Sequence, residues 1–351
     1  MEKVKVVILK NELHDDHLLW EKSCILHANE ISYRIVDLTK NNWLEEIQAH
    51  PSDYLLSKPG AFTSAFKQLY DERIYILSKI LNYNIYPSDN EVFVYENKRF
   101  LSYFLKANSI AHPATNIYYY KSEALQYLNY CRFPIVAKTN IGASGRGVVV
   151  LKSLSDAKIY IDNVFSGRGA TKSTGPNFSK SGWLKRGVNY LFNPGKLFRK
   201  LAFYKSINKD IQKDFLIFQD YIPHEFEWRV VRIGDSFFAH KKLKLGEKAS
   251  GSLLKNYDNP PLELFDFVKK ITDKHQFYSQ AIDVFQVGDL FLVNEMQCIF
   301  GQSDSFQMMV DGRIGRYRYI ENNWKFEEGD FNQLECYSLR IQHVIDKSRK
   351  R

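Results

Sequence analysis

The chain has no apolar run approaching the roughly 18–20 residues that cross a bilayer as a helix. Its opening stretch, Met1 to Lys10, carries Glu2, Lys3 and Lys5 before a short Val-Val-Ile-Leu run, which predicts a first strand and not a secretory leader. Cysteine is scarce. Cys24, Cys131, Cys298 and Cys336 are far apart and have no metal-ligand spacing, so the expectation is reduced thiols in a cytoplasmic protein. No glycine-rich dinucleotide fingerprint follows the first strand, which argues against a nicotinamide site. Acidic residues are missing from Ser166 to Lys209, which holds ten Lys and Arg. The whole chain has a net charge of +9, so the remainder is nearly neutral and the basicity belongs to one segment.

What is present is ample material for a core. Hydrophobic residues make up 44% of 351, enough for two or three domains at about 100–200 residues each. Residues 1–95 alternate strand and helix signals. Val4 to Leu9 suits a buried parallel strand, His17 to Ala28 a helix, and Tyr33 to Val36 and Asp53 to Leu56 further strands. Thr63 to Leu81 places Phe66, Leu69, Tyr70, Ile74, Leu77, Ile80 and Leu81 at helical spacing. This alternation predicts a parallel sheet.

The pattern changes after Asn97. A helix to Ala107 is followed by a turn at Ser109 to Pro113 and a strand at Asn116 to Tyr120. A helix over Ser122 to Tyr130, capped by Ser122, comes next. Strands at Phe133 to Lys138 and Val148 to Leu151 enclose the glycine-rich loop Asn140 to Gly147. Ser166 to Gly182 reads as a mobile entry to a basic insert, in which Trp183 to Tyr204 mixes aromatics with Lys and Arg. Beyond it lie a strand at Phe215 to Tyr221, hairpins around Gly234-Asp235 and Gly288-Asp289, a helix at Leu262 to Lys274, and a helical, basic-ended tail.

Three segments carry chemistry. First, the strand ending at Lys138 runs into a small-residue loop that includes Gly142, Ala143, Ser144 and Gly145. Consecutive amides without Cβ atoms form an anion-binding concavity, and the lysine adds a point charge. A tight hairpin turn beside an exposed lysine would explain this segment equally well. Second, Asp283 and Glu295 sit in paired strands, with Gln297 on the same face as Glu295 by alternation. Two carboxylates and an amide oxygen suit Mg²⁺, although ordinary strand-end carboxylates are the plain alternative. Third, Gln219, Asp220, Tyr221 and Ile222 lead through Pro223 to a strand with Glu227 and Arg229 on one face. Free backbone groups there could read an adenine edge, a carboxylate could hold ribose hydroxyls, and an arginine could reach a γ-phosphate. A surface ion pair is the plain alternative for Glu227 and Arg229. His14, His112 and His224 read as surface residues.

In this order the segments resemble the ATP-grasp superfamily, nearest to its glutathione-synthetase-like and ribosomal-S6-modification-type carboxylate–amine ligases, over residues 95–300. Asn97-Lys98-Arg99 looks like the family's first nucleotide-binding lysine, and Asn108 to Thr115 like its link to the central domain. Lys138 with Gly142 to Gly145 looks like the second lysine and phosphate flap, and Gln219 to Ile222 like the adenine hinge. Arg229 with Lys241 or Lys242 looks like the phosphate clamp, and Asp283 and Glu295 like the metal ligands. Two departures stand out. Gln297 replaces the usual Asn, and Lys248 to Ser252 stands where many relatives carry Arg-x-Asn.

The resemblance implies an α/β (α+β) architecture with the nucleotide between two antiparallel sheets. Its expected parts are an N-terminal pre-ATP-grasp domain (1–95), a small lid subdomain (96–152), the basic insert (153–214), a C-terminal subdomain bearing the metal site (215–335) and a basic tail (336–351). It also implies ATP and Mg²⁺, with Mn²⁺ as an alternative, and ligation of a carboxylate to an amine through an acylphosphate. Arg229 and Lys242 would be the catalytic residues, and the substrates small molecules, peptides or glycans. An ATP-grasp phosphotransferase or a non-catalytic ATP-binding protein would use the same site. Relatives of this kind are often homo-oligomers. The insert, with Trp183, Leu184, Val188, Leu191 and Phe192 at helical spacing among basic residues, fits three readings: an anionic membrane surface, a polyanionic substrate, or a packed helix with a solvated basic face. No nucleic-acid module is visible. The expected location is the cytoplasm, peripheral to the membrane if the insert binds one.

Overall fold

The computed structural model describes residues 2–11, 17–60, 63–142, 147–170, 205, 209–245, 248–257, 259–302 and 304–350, with the main chain only for 245 and 248–253. The N-terminal region forms a parallel sheet from β1 (Val4–Lys10), β2 (Ile31–Asp37), β3 (Tyr54–Leu56) and β4 (Ile85–Tyr86), in the order β2-β1-β3-β4. The apolar run of β1 is buried on both faces, as a central parallel strand requires: Val6, Val7, Ile8 and Leu9 are all at most 2% exposed. Helices α1 (Leu18–Leu26), α2 (Trp43–Gln48) and α3 (Ser64–Tyr75) form the connections. The Thr63 side chain accepts from the Phe66 amide and starts α3. The helical pattern expected to reach Leu81 widens after Tyr75 into a π turn, where the Leu81 amide donates to Ile76 O.

Helices α4 (Asp89–Val94) and α5 (Lys98–Ala107) lead to a four-stranded antiparallel sheet. It comprises β5 (Thr115–Tyr118), β6 (Ile135–Lys138), β7 (Val148–Leu151) and β8 (Leu216–Asp220), in the order β5-β8-β6-β7. Helices α6 (Lys121–Tyr127) and α7 (Leu154–Phe165) cover it, with Ala124, Tyr127, Ala157, Tyr160 and Ile161 against Ile135, Ala137 and Phe218. Three expectations change here. Ser122 does not cap α6, because the helix already starts at Lys121 after an extended Tyr120. Residues 154–165, read as part of the insert, form a packed helix. The strand expected to open the C-terminal subdomain is an inner strand of the small sheet.

The large sheet is antiparallel. It contains β9 (Phe226–Ile233), β10 (Ser236–Leu245), β11 (Lys248–Asn256), β12 (Ser279–Val287), β13 (Leu290–Gln297), β14 (Met309–Val310), β15 (Arg313–Ile320) and β16 (Asn323–Glu328). Its order is β13-β12-β9-β10-β15-β14, with β11 paired to β10 and β16 to β15. Helix α8 (Leu262–His275) buries Leu264, Phe265, Val268 and Ile271 in the core beneath it. The final helix, α9 (Tyr337–Arg349), is more than the basic tail expected. Tyr337, Ile341, Val344 and Ile345 are at most 1% exposed and join the N-terminal core beside Trp20 and Cys24. The expectation saw only its charged end and missed the apolar positions spaced along one side. All four cysteines are free thiols. Among the described residues no helix is long and apolar enough to cross a membrane.

Candidate functional site

A cleft runs between the small sheet and the large one. The small-sheet side contributes Val136, Lys138, Gly142, Val148 and Val150, and the connection after β8 contributes Gln219, Asp220, Tyr221, Ile222 and His224. The large-sheet side contributes Glu227, Lys242, Phe285, Asn294 and Glu295, and Lys98 enters from the start of α5. Residues expected from six separate segments of the sequence therefore line one space.

Strand register explains how the large sheet builds its wall. Asp283 on β12 pairs with Arg229 on β9 and with Glu295 on β13, and Glu227 on β9 pairs with Lys242 on β10. Cross-strand partners share a face, so these side chains converge. Arg229 makes a two-pronged contact with Asp283, Nε to Oδ1 at 2.8 Å and Nη2 to Oδ2 at 2.9 Å. Lys242 Nζ donates to Asp283 Oδ2 at 2.6 Å and to Glu227 Oε2 at 2.7 Å. Burial alone would raise the Asp283 carboxyl, but Arg229 and then Lys242 hold it well below the usual carboxylate range. Burial likewise opposes charge on Lys242, yet Asp283 and Glu227 keep its ammonium above the ordinary lysine value. The choice between the two neighbouring lysines is decided by alternation. Lys242 faces the cleft, while Lys241 lies on the opposite face over the rings of Phe226 and Trp228, at 4.6 and 5.1 Å.

Lys138 crosses from the other wall. Its Nζ donates to Asn294 Oδ1 at 2.9 Å, and Asn294 Nδ2 donates to Glu227 Oε1 at 3.1 Å, so one neutral amide spans the cleft. Burial, then the nearby Lys98 charge, pushes the Lys138 ammonium down to about 8. Lys98 Nζ donates to Gly142 O at 3.1 Å and lies 3.5 Å from Glu96 Oε2. Glu96 is 3% exposed. Burial raises its carboxyl, Lys98 opposes the rise, and Glu295 adds to it. Four cations (Lys98, Lys138, Arg229, Lys242) thus face four carboxylates (Glu96, Glu227, Asp283, Glu295).

The sequence reading missed Asn294. Strict alternation puts it on the face opposite Glu295, but the ladder slips between Asp283 and Val284, so Val293 pairs with Val284 and Glu295 with Asp283. Asn294 is the extra residue of a β-bulge and turns into the cleft with Glu295. The signal was legible: core positions Val293 and Met296 lie three apart where a regular strand would have two. Glu96, Phe285 and the three valines were also missed. His224, read as a surface residue, has a side chain 11% exposed and packs on Phe285 at 4.6 Å between ring centroids.

The glycine loop closes tightly. The Thr139 amide donates to Gly147 O at 2.8 Å, and a Cβ on Gly147 would stand 1.7 Å from Thr139 Oγ1, so only glycine fits. Ala143, Ser144 and Gly145 lie outside the described residues, as do Trp183 and the rest of the insert between 171 and 204.

Among the described residues no three His, Cys, Asp or Glu side chains form a ready-made cage. Mg²⁺ does not need one, since it commonly takes one or two carboxylates plus phosphate oxygens. Glu295 makes no side-chain hydrogen bond or ion pair among the described residues, while Asp283 shares its oxygens with two cations and Gln297 Oε1 accepts from Arg229 Nη2 at 3.3 Å. The all-oxygen chemistry fits the ion, with Glu295 as its freest ligand.

No protein-family model matches this sequence, and no curated protein matches it. Solved structures do. D-alanine–D-alanine ligase from Bacillus anthracis superposes with a TM-score of 0.54 at 12% identity, over 99% of this chain and 98% of that one. The chain has the ATP-grasp fold. A RimK-domain ATP-grasp protein from Sphaerobacter thermophilus gives a TM-score of 0.52 at 13% identity, over 84% of this chain and 90% of its own. N5-carboxyaminoimidazole synthetase from Staphylococcus aureus, complexed with ADP, gives 0.55 at 12%, over 98% and 78%. At these identities the likeness is one of ATP-grasp architecture.

Proposed function

We propose that the cleft binds Mg-ATP and that the chain is an ATP-dependent ligase joining a carboxylate to an amine. The observation that carries this reading is the meeting of Lys138 from the small sheet with Glu227 and Glu295 from the large one, with Asn294 bridging Lys138 to Glu227. Two of the solved structures are a ligase and a synthetase by name, and the synthetase holds ADP, which supports the assignment.

The residues divide the work. Val136, Val148, Val150 and Phe285 offer apolar contact to a base, and Gln219 to Ile222 offer main-chain groups to its edge. Glu227 suits ribose hydroxyls, and Lys98 and Lys138 suit the phosphates. The cleft's cations and carboxylates balance, so a bare triphosphate would enter with its charge uncompensated. Mg²⁺ held by Glu295 and Asp283, with Gln297 beside them, would supply that neutralisation as a Lewis acid. Arg229 and Lys242 hold Asp283 ionised and oriented. In the reaction we infer, a carboxylate oxygen of the first substrate attacks the γ-phosphorus and ADP leaves. The amine then attacks the acyl carbon, phosphate leaves, and the amine gives up a proton. The chain's contribution is positioning and charge compensation, without a protein nucleophile.

The test is incubation with Mg-ATP and pooled carboxylates and amines, reading ADP, phosphate and condensed product by mass spectrometry. Substrate-dependent release of all three, lost in Glu295→Gln, is expected. ADP release with a phosphorylated product and no condensation would replace the ligase with a phosphotransferase. No nucleotide turnover or binding would overturn the enzymatic reading.

A further inference from the structure

The chain that returns from the basic segment toward β8 is linked to the edge of the nucleotide cleft through one side chain. Gln212 is 5% exposed, although it lies between exposed Ile211 and Lys213. Its amide makes a two-point contact with the main chain of one residue, Ile141, at the entry of the glycine loop. The Ile141 amide donates to Gln212 Oε1 at 3.0 Å, and Gln212 Nε2 donates to Ile141 O at 2.7 Å. A side-chain amide paired this way imitates a strand partner and fixes both position and orientation of the main chain.

What it fixes is the stretch that the cleft uses. Ile141 is followed by Gly142, whose carbonyl accepts from Lys98 Nζ and which lines the cleft. Ile141 is preceded by Asn140, whose side chain accepts from the Arg99 amide and whose carbonyl accepts from the Lys98 amide. Three consecutive residues are therefore tied down from two directions, α5 on one side and Gln212 on the other. Gln212 is itself anchored, since its carbonyl accepts from the Ala170 amide at 2.8 Å. Ala170 lies near the start of the basic segment and Gln212 just past its end, so the two ends meet at the residue that grips the loop.

We propose that Gln212 is a positioning residue for the phosphate end of the cleft: it holds Ile141 and Gly142 where the loop and Lys98 can receive phosphate oxygens. This rests on the nucleotide reading above. Gln212 touches no reacting atom, and its effect passes through Ile141.

Two variants test it. Gln212→Met keeps the volume and removes both hydrogen bonds. Gln212→Glu keeps the acceptor for the Ile141 amide but sets a carboxylate oxygen against the Ile141 carbonyl. The first readout, hydrogen exchange of the Ile141 amide in the nucleotide-free protein, needs no ligand. Exchange is expected to speed up in Gln212→Met while β6 and β8 amides keep their protection. The second is calorimetric affinity for Mg-ATP and for adenosine, which lacks phosphates. Both variants are expected to weaken Mg-ATP by about tenfold, the scale of the two net hydrogen bonds, while leaving adenosine within about twofold. Unchanged Ile141 exchange, or an unchanged ATP-to-adenosine ratio beside a wild type that binds both, would overturn the role of Gln212 alone. A wild type that binds neither ligand would overturn the nucleotide reading and this role with it.

Discussion

The two walls of the cleft handle charge differently. On the large sheet, Glu227, Arg229, Lys242 and Asp283 are each at most 9% exposed and neutralise one another through contacts of 2.6–2.9 Å. On the small sheet, Lys138 stands among valines, and its hydrogen-bond partner is a neutral amide. Burial therefore pushes the Lys138 ammonium down to about 8, whereas Lys242, equally buried, is held above its ordinary value by two carboxylates. The difference teaches that burial alone does not set the state of a lysine; the partners facing it do. One wall is a closed electrostatic scaffold. The other carries an under-compensated cation suited to an arriving anion.

The comparison breaks most readily at Asp283. Asp283→Ala leaves Arg229 and Lys242 buried without their shared partner and should cost about 3–5 kcal/mol of stability. Denaturant unfolding measures this, and a loss below ~1 kcal/mol would mean that the network is no scaffold. Lys138→Met should behave in the opposite way. It removes a poorly compensated charge, so the unfolding midpoint should hold, while Mg-ATP affinity should fall by about one to two orders of magnitude, the worth of a charge-assisted contact. Equal affinity for the variant would strip Lys138 of its role.

The depressed Lys138 value also sets a pH dependence. The ammonium form binds phosphate, so affinity should be fullest below pH 8 and decline as pH rises through it. From pH 7 to 9 the decline should approach about tenfold, and Lys138→Met should flatten it. An affinity that strengthens with pH would contradict the assignment. The smallest effect belongs to Asn294→Ala, which cuts the amide bridge between the walls and should weaken Mg-ATP by about threefold with little change in stability. Affinity titration of the two proteins side by side resolves that difference.

Much of the architecture was legible because its signals are local. The apolar run of β1, the Gly234 and Gly288 hairpins and the lysine-ended strand before a glycine loop are short-range patterns, and each element formed where its pattern lay. Charge placement was legible where alternation held, as in β9, where it put Glu227 and Arg229 on one face. It failed at Asn294, where a bulge breaks alternation and turns Glu295 to the Asp283 face, a break that the three-residue spacing of Val293 and Met296 marks. Long-range pairing was hidden as well. Nothing local in residues 216–220 says that they pair with β5 and β6, which precede the basic segment. Nor does the basic end of α9 announce that its apolar positions complete a core begun at Val4.

The most direct test is a calorimetric titration of ATP, with and without Mg²⁺, into the wild type and into Glu295→Gln. The account predicts one saturable site in the wild type that Mg²⁺ tightens, and in Glu295→Gln a site whose affinity no longer responds to Mg²⁺. Nucleotide binding that ignores Mg²⁺ in the wild type, or an equal Mg²⁺ response in both proteins, would contradict a metal-bound triphosphate between the two sheets.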